Sequence, residues 1–83
     1  MAHTAEWTIK LFLFEGDRGS TAQAVLDTGT SVLRGEGSSD EHPDRSLVPE
    51  IDNEQAAGRA LLDLGARLLE IGAADAASVS GPR

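Results

Sequence analysis

The sequence predicts an α+β fold, in which a three-stranded antiparallel β meander is followed by one α-helix packed on one face of the sheet. Residues 6–37 contain three short segments with strand character, separated by turn sequences. Residues 48–72 then carry the chain's one long helical pattern, VPEIDNEQAAGRALLDLGARLLEIG. A lone amphipathic helix and a small sheet can each bury their apolar side only against the other, so we expect β-β-β-α.

The first strand is predicted over residues 6–15, EWTIKLFLFE. Its period of two places one set of apolar side chains on the core face: Trp7, Ile9, Leu11 and Leu13. The opposite face ends in Phe12 and Phe14, so we interpret that end as a candidate contact surface. The alternative is that both rings fold under a loop or a sheet edge.

Two further strands complete the predicted sheet. Residues 16–19 form a loop of hairpin length, and the strand after it contains Ala22 and Ala24, whose small size indicates that a helix passes close above. A third strand is expected over residues 31–37, with a bulge at a glycine.

Residues 38–47 form a polar linker whose conformation the sequence does not determine. Pro43 and Pro49 favour extended residues before them, so we expect the helix to start after Pro49. Asp52 or Asn53 is the predicted N-cap, and Asp52 with Gln55 has capping-box spacing.

The helix has two apolar lines. The line predicted to cover the sheet consists of Ala57, Ala60, Leu61, Leu64, Leu68 and Ile71. Beside it runs a second line of Gly58, Leu62, Gly65, Leu69 and Gly72. Glycine inside a helix costs about 1 kcal/mol relative to alanine, so this line indicates close approach of another backbone, from the chain's own strand or from a second subunit. The alternative is a weak helix in which the glycines are merely tolerated.

These elements make one domain over residues 6–72, with a disordered N-terminus at residues 1–5 and a flexible C-terminal tail at residues 73–83. A chain of 83 residues buries only about 60 to 65% of its unfolded surface. It has no cysteine, so neither disulfides nor thiolate metal sites can reinforce it, and oligomerisation is expected.

The composition argues against polyanionic partners. Seven Lys and Arg stand against 14 Asp and Glu, which gives a formal charge of -7. Nucleic acids and anionic membranes bind through clustered cations, so neither is an expected partner. The N-terminus has no signal-peptide pattern, which predicts a cytoplasmic protein.

No group of residues predicts catalysis. His42 lies among Asp40, Glu41 and Asp44, but adjacent residues of an extended loop cannot converge on one ion. Ser38 and Ser39 lack the elbow and oxyanion-hole pattern of a nucleophile. Gly35-Glu36-Gly37 lacks the third glycine and the lysine of a phosphate loop. We therefore expect no catalytic or metal site, no cofactor and no enzyme activity.

The run HPDRSLVPEIDNEQAAGRAL resembles a small actinobacterial family of unknown function. The resemblance covers about residues 6–72, and its most specific positions are Pro43, Asp44, Val48, Pro49, Glu50, Ile51, Glu54, Ala56, Arg59, Ala60 and Leu61. The chain departs from the family's pattern at Asp52-Asn53 and at residues 38–42. The resemblance implies a fold like the double-stranded RNA-binding domain without its first helix, and it implies no activity.

Fold similarity alone does not predict RNA binding here. The helix start carries Glu50, Asp52 and Glu54, where members that bind duplex RNA carry a basic cluster. We expect no measurable binding to duplex RNA at physiological salt, and a micromolar dissociation constant there would contradict this.

The sequence therefore predicts a non-enzymatic interaction protein that self-associates, as a homodimer. The candidate interface is either the face of Phe12 and Phe14 or the helix line of Gly58, Leu62, Gly65 and Leu69. The alternative is a monomeric module that binds another protein or a small molecule with the same surface.

Overall fold

The computed structural model describes residues 3–40 and 49–79. Three strands, β1 (Thr8–Gly16), β2 (Gly19–Asp27) and β3 (Val32–Ser38), precede one helix, α1 (Pro49–Val79). The strands form an antiparallel sheet in the order β1-β2-β3. The predicted α+β meander with a following helix is therefore confirmed.

The strands pair without interruption. In the β1–β2 hairpin Gly16 faces Gly19 across a two-residue loop, and in the next turn Gly29 has φ +94°, a conformation that favours glycine. The Asp27 carboxylate accepts a hydrogen bond from the Gly29 N–H at 2.8 Å, as Asp does in tight turns. β3 pairs with β2 in continuous register, so the predicted bulge is absent.

The glycines of β3 serve helix packing instead. A Cβ added at Gly35 would lie 2.5 Å from the Leu64 nitrogen, and one added at Gly37 would lie 2.6 Å from the Ala56 carbonyl oxygen. The helix backbone thus rests on the strand backbone at these positions. The close approach predicted for β2 is also present, since Ala22 and Ala24 are buried.

The core is small and lies between α1 and the β2–β3 half of the sheet. It consists of Ala22, Ala24, Leu26, Leu33, Ala56, Ala60 and Leu64, with Leu68 packed against it. The predicted core line of the helix is only partly correct, because Leu61 and Ile71 are 43% and 41% exposed. Contact with the β3 glycines rotates the helix so that Ala56, Ala60 and Leu64 point at the sheet.

Both ends of α1 differ from the prediction. The helix begins at Pro49 itself, which is favourable because the first helical position needs no N–H donor. Asp52 and Asn53 therefore lie within the first turns and are not the N-cap. The helix also continues to Val79, into the segment predicted as a flexible tail, because the alanine-rich segment after Gly72 favours helix.

Candidate interaction surface

β1 is an edge strand whose side chains are exposed on both faces of the sheet. Since directly opposite residues share a face, pairing with Leu26, Ala24 and Ala22 puts three β1 side chains on the helix side. These are Ile9, Leu11 and Leu13, which are 44%, 39% and 41% exposed. They were predicted as core side chains, but α1 lies over β2 and β3 and leaves them uncovered.

The opposite face of β1 carries Phe12 and Phe14, which are 44% and 58% exposed. Their neighbours across β2 are Gln23 and Thr21, so polar side chains flank both rings. No loop of the described chain folds over this face. The structure thus leaves both aromatic side chains available for contact.

The helix line of Gly58, Leu62, Gly65 and Leu69 faces away from the sheet. Leu62 and Leu69 are 75% and 77% exposed, and a Cβ added at Gly58 or Gly65 would meet nothing within 4 Å. The chain's own strands therefore do not approach this line. The glycines of this line therefore either admit the backbone of a second subunit or are merely tolerated in the helix.

Polar side chains of α1 bind the C-terminal end of the outer edge of β3. Asp63 accepts a hydrogen bond from the Glu36 N–H at 2.9 Å, Arg59 donates to the Ser38 carbonyl at 2.7 Å, and Gln55 accepts from the Asp40 N–H at 3.1 Å. These three residues were not predicted as functional. They are four residues apart, so they lie on one flank of the helix, and this spacing is the signal that could have identified them.

The outer edge of β1 has no such cover among residues 3–40 and 49–79. No side chain of those residues forms a hydrogen bond with the backbone of β1. The nearest contact is to a side chain, where Asn53 donates to Glu15 at 2.7 Å and accepts from the buried Ser20 hydroxyl at 2.7 Å. Within the described residues, the sheet therefore has one edge capped at the C-terminal end of β3 and one edge, that of β1, without a capping side chain.

The two candidate surfaces, on β1 and on α1, also differ in net charge. β1 contains one Lys and one Glu and is neutral, whereas α1 contains six acidic and two basic residues, a net charge of -4.

The pKa of Asp63 is lowered, chiefly by the hydrogen bond from the Glu36 N–H and further by Arg67, whose Nε lies 3.3 Å from the carboxylate. Arg59 pairs with Asp40 at 3.1 Å. The charged groups of α1 thus stabilise the β3 edge.

Most of the charged groups considered for catalysis lie outside the described residues. Of the acidic cluster around His42, only Asp40 lies in the described residues, and it pairs with Arg59. Residues 3–40 and 49–79 contain no group of three or more His, Asp or Glu placed to hold a metal ion. A depression of about 370 Å³ lies between the ends of β3 and α1. Its lining is Val32, Leu33, Arg34, Arg67, Glu70 and Ile71.

Comparison with known proteins identifies the family. Residues 5–83 match the family model described as Rv2632c-like. The chain belongs to the Rv2632c-like family. It is 34% identical over 74 residues to the uncharacterised proteins Mb1767 of Mycobacterium bovis and MT1780 of Mycobacterium tuberculosis, covering 89% of this chain and 79% of each relative.

A crystal structure of Rv2632c has the same fold as this family member. The two superpose with a TM-score of 0.90 at 24% identity, over 99% of this chain and 98% of that one. The expected membership of a small family of unknown function is confirmed. In the described part of the chain, α1 is not apolar enough along its length to span a bilayer.

Proposed function

We propose that this member of the Rv2632c-like family is a non-enzymatic interaction protein that self-associates as a homodimer. The observation that carries the proposal is the exposure of apolar side chains on both faces of β1. One helix, about 10 Å wide, covers roughly two strands of a sheet whose strands are about 4.8 Å apart. In the described chain β1 is the strand left without a cover, and a second copy reduces the exposure of its apolar side chains.

Several observations support an interaction role over an enzymatic one. The polar side chains with defined partners, such as Asp63, Arg59 and Asn53, bind the chain's own backbone or stabilise its packing. Apolar groups dominate what remains exposed around β1 and on the outer side of α1. A chain with a small core also gains stability by burying such surface against a partner.

The solution mass tests the proposal. We expect static light scattering to give about 17.4 kDa, twice the chain mass of 8.7 kDa, at tens of micromolar protein. The mass should fall toward that of the single chain on dilution. A mass of 8.7 kDa at every concentration would refute self-association.

Two variants identify the interface. Phe12→Ser with Phe14→Ser alters the sheet face, and Leu62→Glu with Leu69→Glu alters the helix line; all four side chains are exposed, so the fold should persist. Val32→Glu is the matched control, because Val32 is 57% exposed on the strand farthest from β1. The double variant that lowers the solution mass without changing the circular dichroism spectrum identifies the interface.

The second candidate is a monomeric module for a protein or small-molecule partner. The depression lined by Arg34, Arg67 and Ile71 favours it, since it combines cationic and apolar groups. A monomer whose Leu33 and Ile71 amide resonances shift on addition of small carboxylates would support this function instead.

A further inference from the structure

We propose that β1 pairs antiparallel with β1 of a second copy, so that the dimer contains one continuous six-stranded sheet. This inference rests on the self-association proposed above and specifies its geometry. It follows from the contrast between the two sheet edges. At the β3 edge Asp63 binds the Glu36 N–H and Arg59 binds the Ser38 carbonyl, and Gln55 binds the Asp40 N–H just beyond the strand, whereas no described side chain hydrogen-bonds the outward backbone groups of β1.

The pairing pattern shows which β1 groups are free. The Ser39 N–H donates to the Ser20 carbonyl at 2.9 Å, so the even-numbered residues of β2 bond toward β3. Because bonding direction alternates along an antiparallel strand, the odd-numbered residues of β2 bond toward β1. Their partners are the even-numbered residues of β1. The outward N–H and C=O groups therefore belong to Ile9, Leu11, Leu13 and Glu15.

Two-fold symmetry restricts how two such edges combine. Antiparallel edge pairing by a two-fold axis requires the axis to stand perpendicular to the sheet, so both helices lie on the same face. An axis through Phe12 pairs the whole strand, from Thr8 opposite Gly16 to Gly16 opposite Thr8. In this register the outward groups form about eight inter-strand hydrogen bonds.

The same register is favourable for the side chains. Phe12 lies beside Phe12 of the second copy, and Lys10 lies beside Phe14 of the second copy, which permits a cation–π contact. On the helix side Leu11 lies beside Leu13 of the second copy, so each reduces the other's exposure. No like charges are placed opposite each other, because Lys10 lies opposite Phe14 and Glu15 opposite Ile9 of the second copy.

Charge favours this edge over the helix line as the contact between copies. Two β1 strands bring together neutral segments, whereas two α1 helices bring together net charges of -4 each. Repulsion of this kind opposes association in a chain whose total charge is -7. The N–H and C=O groups along the outer edge of β1 can pair with an added strand. In a symmetric pair of β1 strands, each copy donates hydrogen bonds to the other and accepts hydrogen bonds from it.

Single-cysteine variants test the geometry, since the chain has no cysteine of its own. Phe12→Cys places two thiols in a non-hydrogen-bonded pair with Cα atoms about 4.5 Å apart, which suits a disulfide. We expect mild oxidation to convert this variant to a covalent dimer. Lys10→Cys alone should not cross-link, because its two copies lie four residues apart in register, about 14 Å.

A mixture of two single-cysteine variants tests the same geometry without changing Phe12. Lys10→Cys mixed with Phe14→Cys should yield a covalent heterodimer that neither variant forms alone. Leu69→Cys on the helix line is the matched control and should stay uncross-linked. Light scattering of the unmodified protein accompanies these oxidations.

The outcomes separate the two proposals. A dimeric mass with cross-linking at position 12 and in the mixture supports edge pairing. A dimeric mass with cross-linking at position 69, or without cross-linking along β1, overturns edge pairing and leaves self-association standing. A monomeric mass overturns both.

Discussion

Replacing Gly35 by alanine should weaken the fold strongly, because α1 rests on the strand backbone at that position. The added Cβ would lie 2.5 Å from the Leu64 nitrogen and 2.8 Å from the Leu64 Cβ. Neither atom is the end of a flexible side chain, so the helix itself must move. Reaching ordinary contact at 3.4 Å requires a shift of about 1 Å, because the atom nearest to the added Cβ is the Ala60 carbonyl oxygen.

A shift of that size separates α1 from most of the core. A gap of 0.5–1 Å forfeits roughly a quarter to a half of the dispersion attraction between facing atoms. Overpacking a core typically lowers the free energy of unfolding by about 1–3 kcal/mol. Alanine also restricts the unfolded chain more than glycine does, which raises the free energy of unfolding by at most about 1 kcal/mol. We expect a net loss of about 1–2 kcal/mol, which lowers the melting temperature by roughly 4–16 °C in a domain of this size.

Gly65→Ala is the matched control, since a Cβ there meets nothing within 4 Å of the same chain. It should stabilise the helix by about 1 kcal/mol. Both variants are measured by thermal unfolding at one protein concentration, because dimer stability depends on it. An unchanged melting temperature for Gly35→Ala would refute the packing described here, and a destabilised Gly65→Ala would indicate that a second backbone packs on the helix line.

Three further predictions concern the groups that hold α1 to the sheet. Asn53→Ala should cost about 1–3 kcal/mol in chemical denaturation, because the buried Ser20 hydroxyl loses its acceptor; a loss below 0.3 kcal/mol would contradict this. Leu64→Ala removes a fully buried side chain and should cost about 2–5 kcal/mol by the same measurement. The lowered pKa of Asp63 means that its stabilising contribution is complete above the usual Asp value of about 3.9 and is lost as pH falls through its lower folded value. Asp63→Asn should therefore flatten the decline of melting temperature with acidity below about pH 4, and parallel profiles would exclude that role.

The architecture followed from the sequence because its local signals agree. The alternation of β1, the small residues of β2 and the length of the helical pattern each specify their own element. Helix rotation was less predictable because Ala57 and Leu61 are as apolar as the residues that pack on the sheet. The glycines of β3 decide the rotation by admitting the helix backbone at Ala56 and Ala60, and such long-range contact leaves no periodic signal.

The interaction surface was predictable only in part. Phe12, Phe14, Leu62 and Leu69 were chosen from their positions in the strand and helix patterns, and all four are exposed. The exposure of Ile9, Leu11 and Leu13 was missed, because alternation assigns a side chain to a face without indicating whether anything covers that face. The capped β3 edge was missed for the related reason that Asp63 and Arg59 look like ordinary surface charges in the sequence.

The distribution of polar groups on α1 links the fold to the proposed function. One flank of the helix carries Gln55, Arg59 and Asp63, which hydrogen-bond backbone groups at the C-terminal end of the β3 edge. The other flank carries Ala57 and Leu61 beside the uncovered side of β1, with Asn53 fixing the distance between helix and hairpin through Ser20 and Glu15. Three side chains bind backbone groups at the β3 edge and none of the described side chains binds the β1 edge, which supports the proposal that pairing occurs at a single edge. Pairing at one edge closes at two copies, whereas two open edges would continue into a filament.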